Sequence, residues 1–201
     1  APMHDNPPSR LFLGIFMASY FCAGFGYVIS ATFIVAIVDG LPGLAGQGAL
    51  AFLAIGLAAT PAAFNWDLIA RYTGDINALI LAAVLQIVGI ALPVAVGGLF
   101  ATIFGALLFG GTFIGMVSLV LTMAGRYYPT RPAKMMGKMT LSYGVAQIIG
   151  PAIVGWLATR LGNYSIGLTI AAGVMVVGVV LWVILKFVEK RDALLVPSVQ
   201  T

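Results

Sequence analysis

Neutral polar side chains are the groups inside the apolar stretches of this sequence that have a capacity for chemistry. Tyr20 and Tyr27 lie on one helical stripe with Gly24 between them, and in a later stretch Tyr143 and Gln147 are four residues apart. Hydroxyl and amide groups bind by hydrogen bonds and carry no charge at neutral pH. The spacing therefore predicts one of two roles: hydrogen bonding between helices, or a polar lining for a neutral or weakly polar solute.

Acid, base and metal chemistry have few residues to draw on. The charged side chains stand at the ends of the apolar stretches or in the tails, the only histidine is His4, and the only cysteine is Cys22. A hydrolase needs a base beside its nucleophile, and a zinc site needs a set of histidine or cysteine ligands. We therefore expect no enzymatic activity, no cofactor and no metal site.

Six apolar stretches must position these residues. Charged residues make up 8% of the sequence and hydrophobic residues 61%, against about 25% and 45 to 50% in soluble domains. About 20 residues are needed to cross a hydrocarbon core of ~30 Å. The sequence predicts an all-α membrane protein, a bundle of six transmembrane helices with spans at 11–38, 47–66, 76–96, 98–123, 139–159 and 165–187.

The basic residues predict how the bundle is oriented. Nine of the ten Lys and Arg residues fall in alternate gaps between the spans, and only Arg160 breaks the pattern. Because short cytoplasmic loops carry an excess of Lys and Arg, both termini are expected in the cytoplasm, with residues 1–10 as a linker and 188–201 as a tail. Since the cations are distributed by membrane side and do not form one patch, we expect no nucleic-acid partner. We also expect a multi-pass protein of a cell inner membrane, in contact with the lipid bilayer.

Small residues mark faces on which helices can approach closely. Gly111 and Gly115 are four apart in the fourth span, and Gly56, Ala59 and Ala63 form a similar series in the second. Packing between such faces drives helix association in membranes. We expect both series to be helix contacts.

Local motifs in three spans resemble the major facilitator superfamily. The segment SYGVAQIIGPAIVGWL, followed by RLGNY, resembles the eleventh helix of that superfamily, in which Gly-Gln-x-x-Gly-Pro-x-x-x-Gly recurs. Two further segments, GFGYVISATF and FGGTFIG, resemble the seventh and tenth helices of its YbfB/YjiJ branch. The six spans fit the C-terminal half of the superfamily in order. The residues that match the first pattern are Gln147, Gly150, Pro151 and Gly155.

The loop after the second span departs from the superfamily pattern, which usually reads Gly-x-x-x-Asp-Arg-x-Gly-Arg. Here the segment is NWDLIARYTG, in which Arg71 and Gly74 remain in a shifted register and the motif aspartate has no clear counterpart. Asp67 and Asp75 flank Arg71 and are candidates for a substitute ion pair. A solvated pair of this kind contributes little, about 0 to 1 kcal/mol.

The resemblance implies secondary active transport of a small solute by alternating access, with the first and fourth spans lining the path. It implies hydrogen-bonding and shape-selecting roles for the residues that bind the solute, and a structural role for a second set. The expected substrate-binding residues are Tyr20, Tyr27, Thr32, Thr112 and Met116, with Gln147 behind them. The expected structural residues are Gly24, Gly26, Gly150, Pro151, Gly155, Arg71 and Gly74.

A full transporter of this superfamily has two six-helix halves, and this sequence matches one. Three interpretations follow: a fragment of a longer transporter, which we favour, a half-transporter that pairs with another chain, or a degenerate remnant. The expected partner is in each active case an N-terminal six-helix half. The competing class is a non-transporting membrane scaffold, in which the same polar residues only hold the bundle together.

Overall fold

Seven α-helices make up the computed structural model, which describes residues 4–195 and contains no strand within that range. Five of the helices are long and apolar enough to cross a membrane, and the count becomes six when the bent pair α2 and α3 is taken as one span. The expected all-α architecture is confirmed. The helices are α1 (Arg10–Asp39), α2 (Gly48–Ala59), α3 (Ala62–Thr73), α4 (Asp75–Ala95), α5 (Gly98–Tyr127), α6 (Pro132–Leu161) and α7 (Ser165–Leu195).

The second predicted span is broken into two helices, and the second of them is more polar than the first. Helices α2 and α3 meet at Thr60 and Pro61 with a bend of 49°. Proline causes such a break because it lacks an amide donor and its ring crowds the preceding turn. Beyond the bend, α3 carries Asp67 and Arg71, so the predicted span 47–66 covers α2 and only the first part of α3.

The connection between α4 and α5 is made by two glycines. Gly97 and Gly98 have φ of +71° and +78°, a region that glycine enters without steric cost. Pro93 lies before this connection, inside α4 and beside Gly105 of α5. The two glycines therefore make the turn, which needs two positive φ values, and Pro93 lies one helical turn before it.

Helix α1 packs closely against both α6 and α7. A Cβ atom at Gly24 would lie 2.7 Å from the carbonyl oxygen of Tyr143 in α6, and one at Gly26 would lie 2.5 Å from Cγ of Met175 in α7. On both sides the helix axes are therefore as near as only glycine allows. Helix α1 runs as one element of 30 residues through this contact.

The small residues of the second span are used differently from the expectation. Gly56 is exposed, and no atom lies within 4 Å of the position its Cβ would occupy. The predicted contact face of Gly56, Ala59 and Ala63 is therefore wrong at Gly56, where a Cβ would contact no other helix within residues 4–195. Instead α2 packs through buried Ala54 and Ile55, whose backbone rests on Gly110 of α5.

The chain begins and ends its described course at the same end of the bundle. Ser9, just before α1, lies beside Asp192 near the end of α7, and the Asn6 amide donates to the Tyr127 carbonyl at the end of α5 (3.1 Å). We call this the basic end, because nine of the ten Lys and Arg residues belong to it, whereas Arg160 closes α6 at the other end. Its cytoplasmic location stays a prediction.

Candidate functional site

Five aromatic rings from three helices pack together between α1, α5 and α6. Tyr27 of α1 is at the centre, with ring centroids 4.8 Å from Phe113 and 6.2 Å from Phe109 of α5, and 5.9 Å from Tyr143 of α6. Tyr143 is also 4.7 Å from Tyr20. These separations are typical of favourable aromatic pairs. We call this set the aromatic cluster: Tyr20, Tyr27, Phe109, Phe113 and Tyr143.

Helical spacing and one glycine build the cluster. Tyr20 and Tyr27 are two turns apart, and Phe109 and Phe113 are one turn apart, so each pair occupies one helix face. Gly24 lies between the two tyrosines of α1 and has no side chain. The ring of Tyr143 fills that space, with its Cγ and Cδ2 atoms 3.0 Å from where a Cβ of Gly24 would be.

The tyrosine hydroxyls remain available for a ligand. Tyr20 and Tyr143 are 2% and 9% exposed. Within residues 4–195, none of the hydroxyls of Tyr20, Tyr27 and Tyr143 has a hydrogen-bond partner. The hydroxyls are therefore unpaired in the described chain, on rings that are buried for Tyr20 and Tyr143 and half-buried for Tyr27. Such an arrangement can bind a solute by hydrogen bonds over an aromatic floor, and it supplies no acid or base at neutral pH.

The predicted substrate-binding residues fall into three groups. Tyr20 and Tyr27 belong to the cluster, and Gln147 is half-buried one turn beyond Tyr143. Thr112 and Met116 of α5 are each 2% exposed. Thr32 is exposed and stands five residues after Tyr27, which places it off the stripe of Tyr20 and Tyr27.

The Thr112 hydroxyl is occupied within its own helix. It donates to the carbonyl of Leu108 at 2.8 Å, and the Phe109 carbonyl is 3.0 Å away. This back-bonding is common for threonine in helices. The hydroxyl proton is therefore not directed at a solute, although the oxygen can still accept a hydrogen bond. A substrate-binding role for all six residues stays a prediction.

Three members of the cluster were missing from the predicted substrate-binding set. The sequence indicates Tyr143 only through its spacing to Gln147, and Phe109 and Phe113 only through a motif. The i, i+4 spacing of the two phenylalanines was a usable signal of a shared face. The approach of Tyr143 to Gly24 has no local signal, because it depends on how α6 packs on α1.

Two of the expected structural glycines of α6 differ in what surrounds them. A Cβ at Gly150 would lie 2.9 Å from Cγ1 of Val28, so this glycine permits the contact of α6 with α1. No atom lies within 4 Å of a Cβ at Gly155, and Pro151 lies inside the helix. Gly155 therefore has no packing role within residues 4–195.

Two ion pairs replace the superfamily loop pattern at the basic end. Arg71 binds Asp67 through Nε (3.0 Å) and Nη2 (2.8 Å). Asp75 binds Arg126 of α5 (2.6 Å), and so joins the start of α4 to the end of α5. Gly74, with φ of +88°, ends α3 between them. Asp67 is thus the substitute partner of Arg71, and Asp75 has a partner that the sequence did not indicate.

Comparison with known proteins relates this geometry to transporters. A family model described as "Uncharacterised MFS-type transporter YbfB" matches residues 2–183. A search of curated proteins finds no match. In the part of the chain that the structure describes, no three His, Cys, Asp or Glu residues could share a metal ion.

Solved transporter structures share the fold at low sequence identity. The POT family transporter PepTSo is 15% identical with a TM-score of 0.74, over 89% of this chain and 38% of that one. A peptide transporter POT in complex with sulfate is 20% identical with a TM-score of 0.70, over 89% and 39%. The E. coli fucose:proton symporter FucP is 14% identical with a TM-score of 0.71, over 87% and 42%.

The chain thus spans about two fifths of the length of these transporters. Their fold and the family match agree with a multi-pass membrane protein whose helices pack as in one part of such a transporter. The chain belongs to the family of the MFS-type transporter YbfB.

Proposed function

We propose that this chain is the C-terminal half of a secondary transporter that moves a small neutral or weakly polar solute by alternating access. The aromatic cluster carries the proposal, because it joins the first, fourth and fifth spans and contains three hydroxyls that have no hydrogen-bond partner within residues 4–195. In transporters built from repeats, the substrate binds near the midplane at the repeat interface. The cluster would form this half's side of that site.

The small and polar residues on one side of α6 support the presence of a partner half. One side carries the small or polar residues Thr140, Gly144, Gln147, Pro151 and Gly155, and neither Gly144 nor Gly155 has an atom within 4 Å of its Cβ position. Small residues allow another helix to approach closely in a membrane. An N-terminal six-helix half, in the same parent chain or in a second subunit, would pack on this side.

The chemistry of the cluster favours an uncharged solute. Its polar groups are hydroxyls, which donate and accept without charge, and the charged residues of the spans stand near their ends. A proton or ion that drives transport would then bind to carboxylates of the partner half. The family match and the apolar helices support a multi-pass membrane protein, and the location that we propose for the full transporter is a cell inner membrane.

The decisive experiment replaces the Tyr143 hydroxyl in the full transporter. A panel of neutral solutes is first screened by thermal shift, and uptake of the best ligand is then measured in proteoliposomes. Tyr143→Phe keeps the ring and removes the hydroxyl, so we expect a loss of uptake of about tenfold, as for a lost hydrogen bond of about 1.4 kcal/mol. Tyr72→Phe, at an 85% exposed position of α3, is the matched control and should keep normal uptake.

The scaffold interpretation predicts a different result. If Tyr143→Phe and Tyr27→Phe lower the melting temperature and leave uptake intact, the hydroxyls only stabilise the bundle. Thr112→Val is a further test of the transport and scaffold interpretations, because the Thr112 hydroxyl already donates within α5. In our proposal this variant affects uptake less than Tyr143→Phe does.

A further inference from the structure

A cavity at the basic end combines three cations with an apolar wall. It has a volume of about 200 Å³ and lies between the start of α1 and the start of α6. Arg131, Lys134 and Lys138 surround it on the α6 side. We call it the basic cavity.

The cations of the basic cavity are only partly neutralised. Arg131 has one acidic neighbour, Asp5, with 3.8 Å between Nη2 and Oδ2. Lys134 and Lys138 are exposed, and no carboxylate of residues 4–195 lies within 4.0 Å of either ammonium group. Like charges held around one cavity attract an anion.

The other wall of the basic cavity is apolar. Leu13 and Met17 are one turn apart on α1, and Met135 faces them from α6. The Ser142 hydroxyl donates to the Met17 carbonyl (2.8 Å) and ties the two helices together one turn beyond Lys138. A ligand that fits must therefore carry an anionic group at the outer edge and an apolar part that extends inward.

The surface that continues from the cavity identifies the source of such a ligand. From Lys138, one face of α6 continues through the exposed apolar residues Val145, Ile149 and Trp156. At the far end the Arg160 guanidinium stands 5.4 Å from the Trp156 ring centroid, which is a typical interfacial arrangement. Exposed apolar residues bounded by cations at one end and an aromatic residue at the other fit lipid tails rather than water.

We propose that the basic cavity binds the phosphate headgroup of an anionic membrane lipid, with the acyl chain lying on Leu13, Met17 and the apolar face of α6. Basic pockets between transmembrane helices bind anionic headgroups in this manner. The site is separate from the aromatic cluster, and it does not depend on the identity of a transported solute.

The test measures lipid retention on the full chain in neutral detergent by native mass spectrometry. Dioctanoyl phosphatidylglycerol is the anionic probe, and dioctanoyl phosphatidylcholine is the zwitterionic one. We expect phosphatidylglycerol to bind at least tenfold more tightly. Replacing two cations, in Lys134→Gln/Lys138→Gln, should weaken that binding about tenfold or more.

The matched control uses a second lysine pair at the basic end. Lys186 and Lys190 of α7 have the same four-residue spacing and do not line the cavity. Lys186→Gln/Lys190→Gln removes the same charge and should bind phosphatidylglycerol as the wild type does. Thermal unfolding of both variants checks that each remains folded.

Three outcomes would overturn the proposal. The first is equal loss of binding in the two double variants, which would indicate a general charge effect. The second is equal binding of the two lipids by the wild type. The third is full displacement of phosphatidylglycerol by inorganic phosphate or glycerol phosphate at equal concentration, which would make the site one for a free anion. Loss in Lys134→Gln/Lys138→Gln alone supports the lipid site.

Discussion

At the scale of single residues, Asp5 fastens the segment before α1 to the connection between α5 and α6. One carboxylate oxygen accepts from the Thr130 hydroxyl (2.6 Å) and from the Thr130 amide (3.0 Å). These hydrogen bonds, with a smaller effect from Arg131, hold the pKa of the Asp5 carboxyl below its ordinary value of 3.8. The same side chain stands beside the basic cavity, so its ionisation affects the charge there.

The lowered pKa of Asp5 predicts a specific pH dependence. Because the pKa of the Asp5 carboxyl is lower in the folded protein, the ionised carboxylate stabilises the fold above the unfolded pKa of 3.8. This stabilisation is lost as the pH falls through the folded pKa. An NMR titration of Asp5 should therefore give a midpoint below 3.8. Thr130→Val should move that midpoint upward. Thr73→Val, in α3, should leave it unchanged, and equal midpoints in all three proteins would contradict the hydrogen-bond explanation.

Two glycines of α5 that look equivalent in sequence have opposite surroundings around Trp66. The indole Nε1 donates to the Gly111 carbonyl (2.6 Å), and a Cβ at Gly115 would overlap the indole ring. No atom lies within 4 Å of a Cβ at Gly111. The absence of a side chain at Gly115 therefore makes room for the Trp66 ring, whereas Gly111 binds Trp66 through its backbone carbonyl.

Gly115→Ala should destabilise the protein, because Trp66 is 4% exposed and its hydrogen bond prevents it from shifting. We expect a loss of about 1 to 3 kcal/mol, typical of overpacking. Gly111→Ala should change the free energy of unfolding by less than about 1 kcal/mol, the scale of helix propensity. Tryptophan fluorescence during unfolding in detergent measures both. Similar destabilisation by the two substitutions would count against the Trp66 contact as the cause.

At the scale of elements, Gly24 fixes how closely α6 approaches α1. Gly24→Ala would place a methyl group 2.7 Å from the Tyr143 carbonyl oxygen, a backbone atom that cannot rotate away. We expect a loss of about 1 to 3 kcal/mol in unfolding free energy and weaker solute binding, since the rings of Tyr20 and Tyr143 would separate. Both are measured by thermal unfolding with and without ligand.

Gly144→Ala is the matched control for the α1 and α6 contact, because Gly144 is the next residue after Tyr143 and has open space around it. It should remain close to wild type in the isolated chain. In the full transporter the same substitution should matter more, since this side of α6 is the one proposed to meet the partner half. Equal stability loss from Gly24→Ala and Gly144→Ala in the isolated chain would refute the assigned contact.

The helices were predictable from sequence because the factors that define them act locally. Hydrocarbon thickness and the cost of burying charge set the spans, and Asp39, expected in a connection, ends α1 and accepts from the Gly48 amide that begins α2 (2.8 Å). The bend at Pro61 and the contact of Tyr143 with Gly24 were not predictable in this way. A proline alone does not decide whether a span breaks, since Pro93 remains inside α4 whereas Pro61 separates α2 from α3. The contact of Tyr143 with Gly24 depends on how α6 packs on α1.

At the scale of the whole molecule, the distribution of basic residues predicts which end is cytoplasmic. Asn163 lies in the connection between α6 and α7 and Lys190 lies near the end of α7, so they belong to opposite ends. In a Cys22→Ala background, Asn163→Cys should react with an impermeant maleimide in intact cells. Lys190→Cys should react only after permeabilisation. The reverse pattern would mean that the bundle is inserted the other way round.

The placement of charge along the helices also determines how this chain responds to membrane voltage. Each elementary charge that crosses a potential of 100 mV gains or loses about 2.3 kcal/mol. The ionised side chains of the described chain stand near the ends of the spans, where Asp75 and Arg126 pair and where Arg160 meets Trp156. In the proposed transport cycle, rocking of these six spans would carry little charge through the field, so the electrical work falls to the driving ion or the partner half.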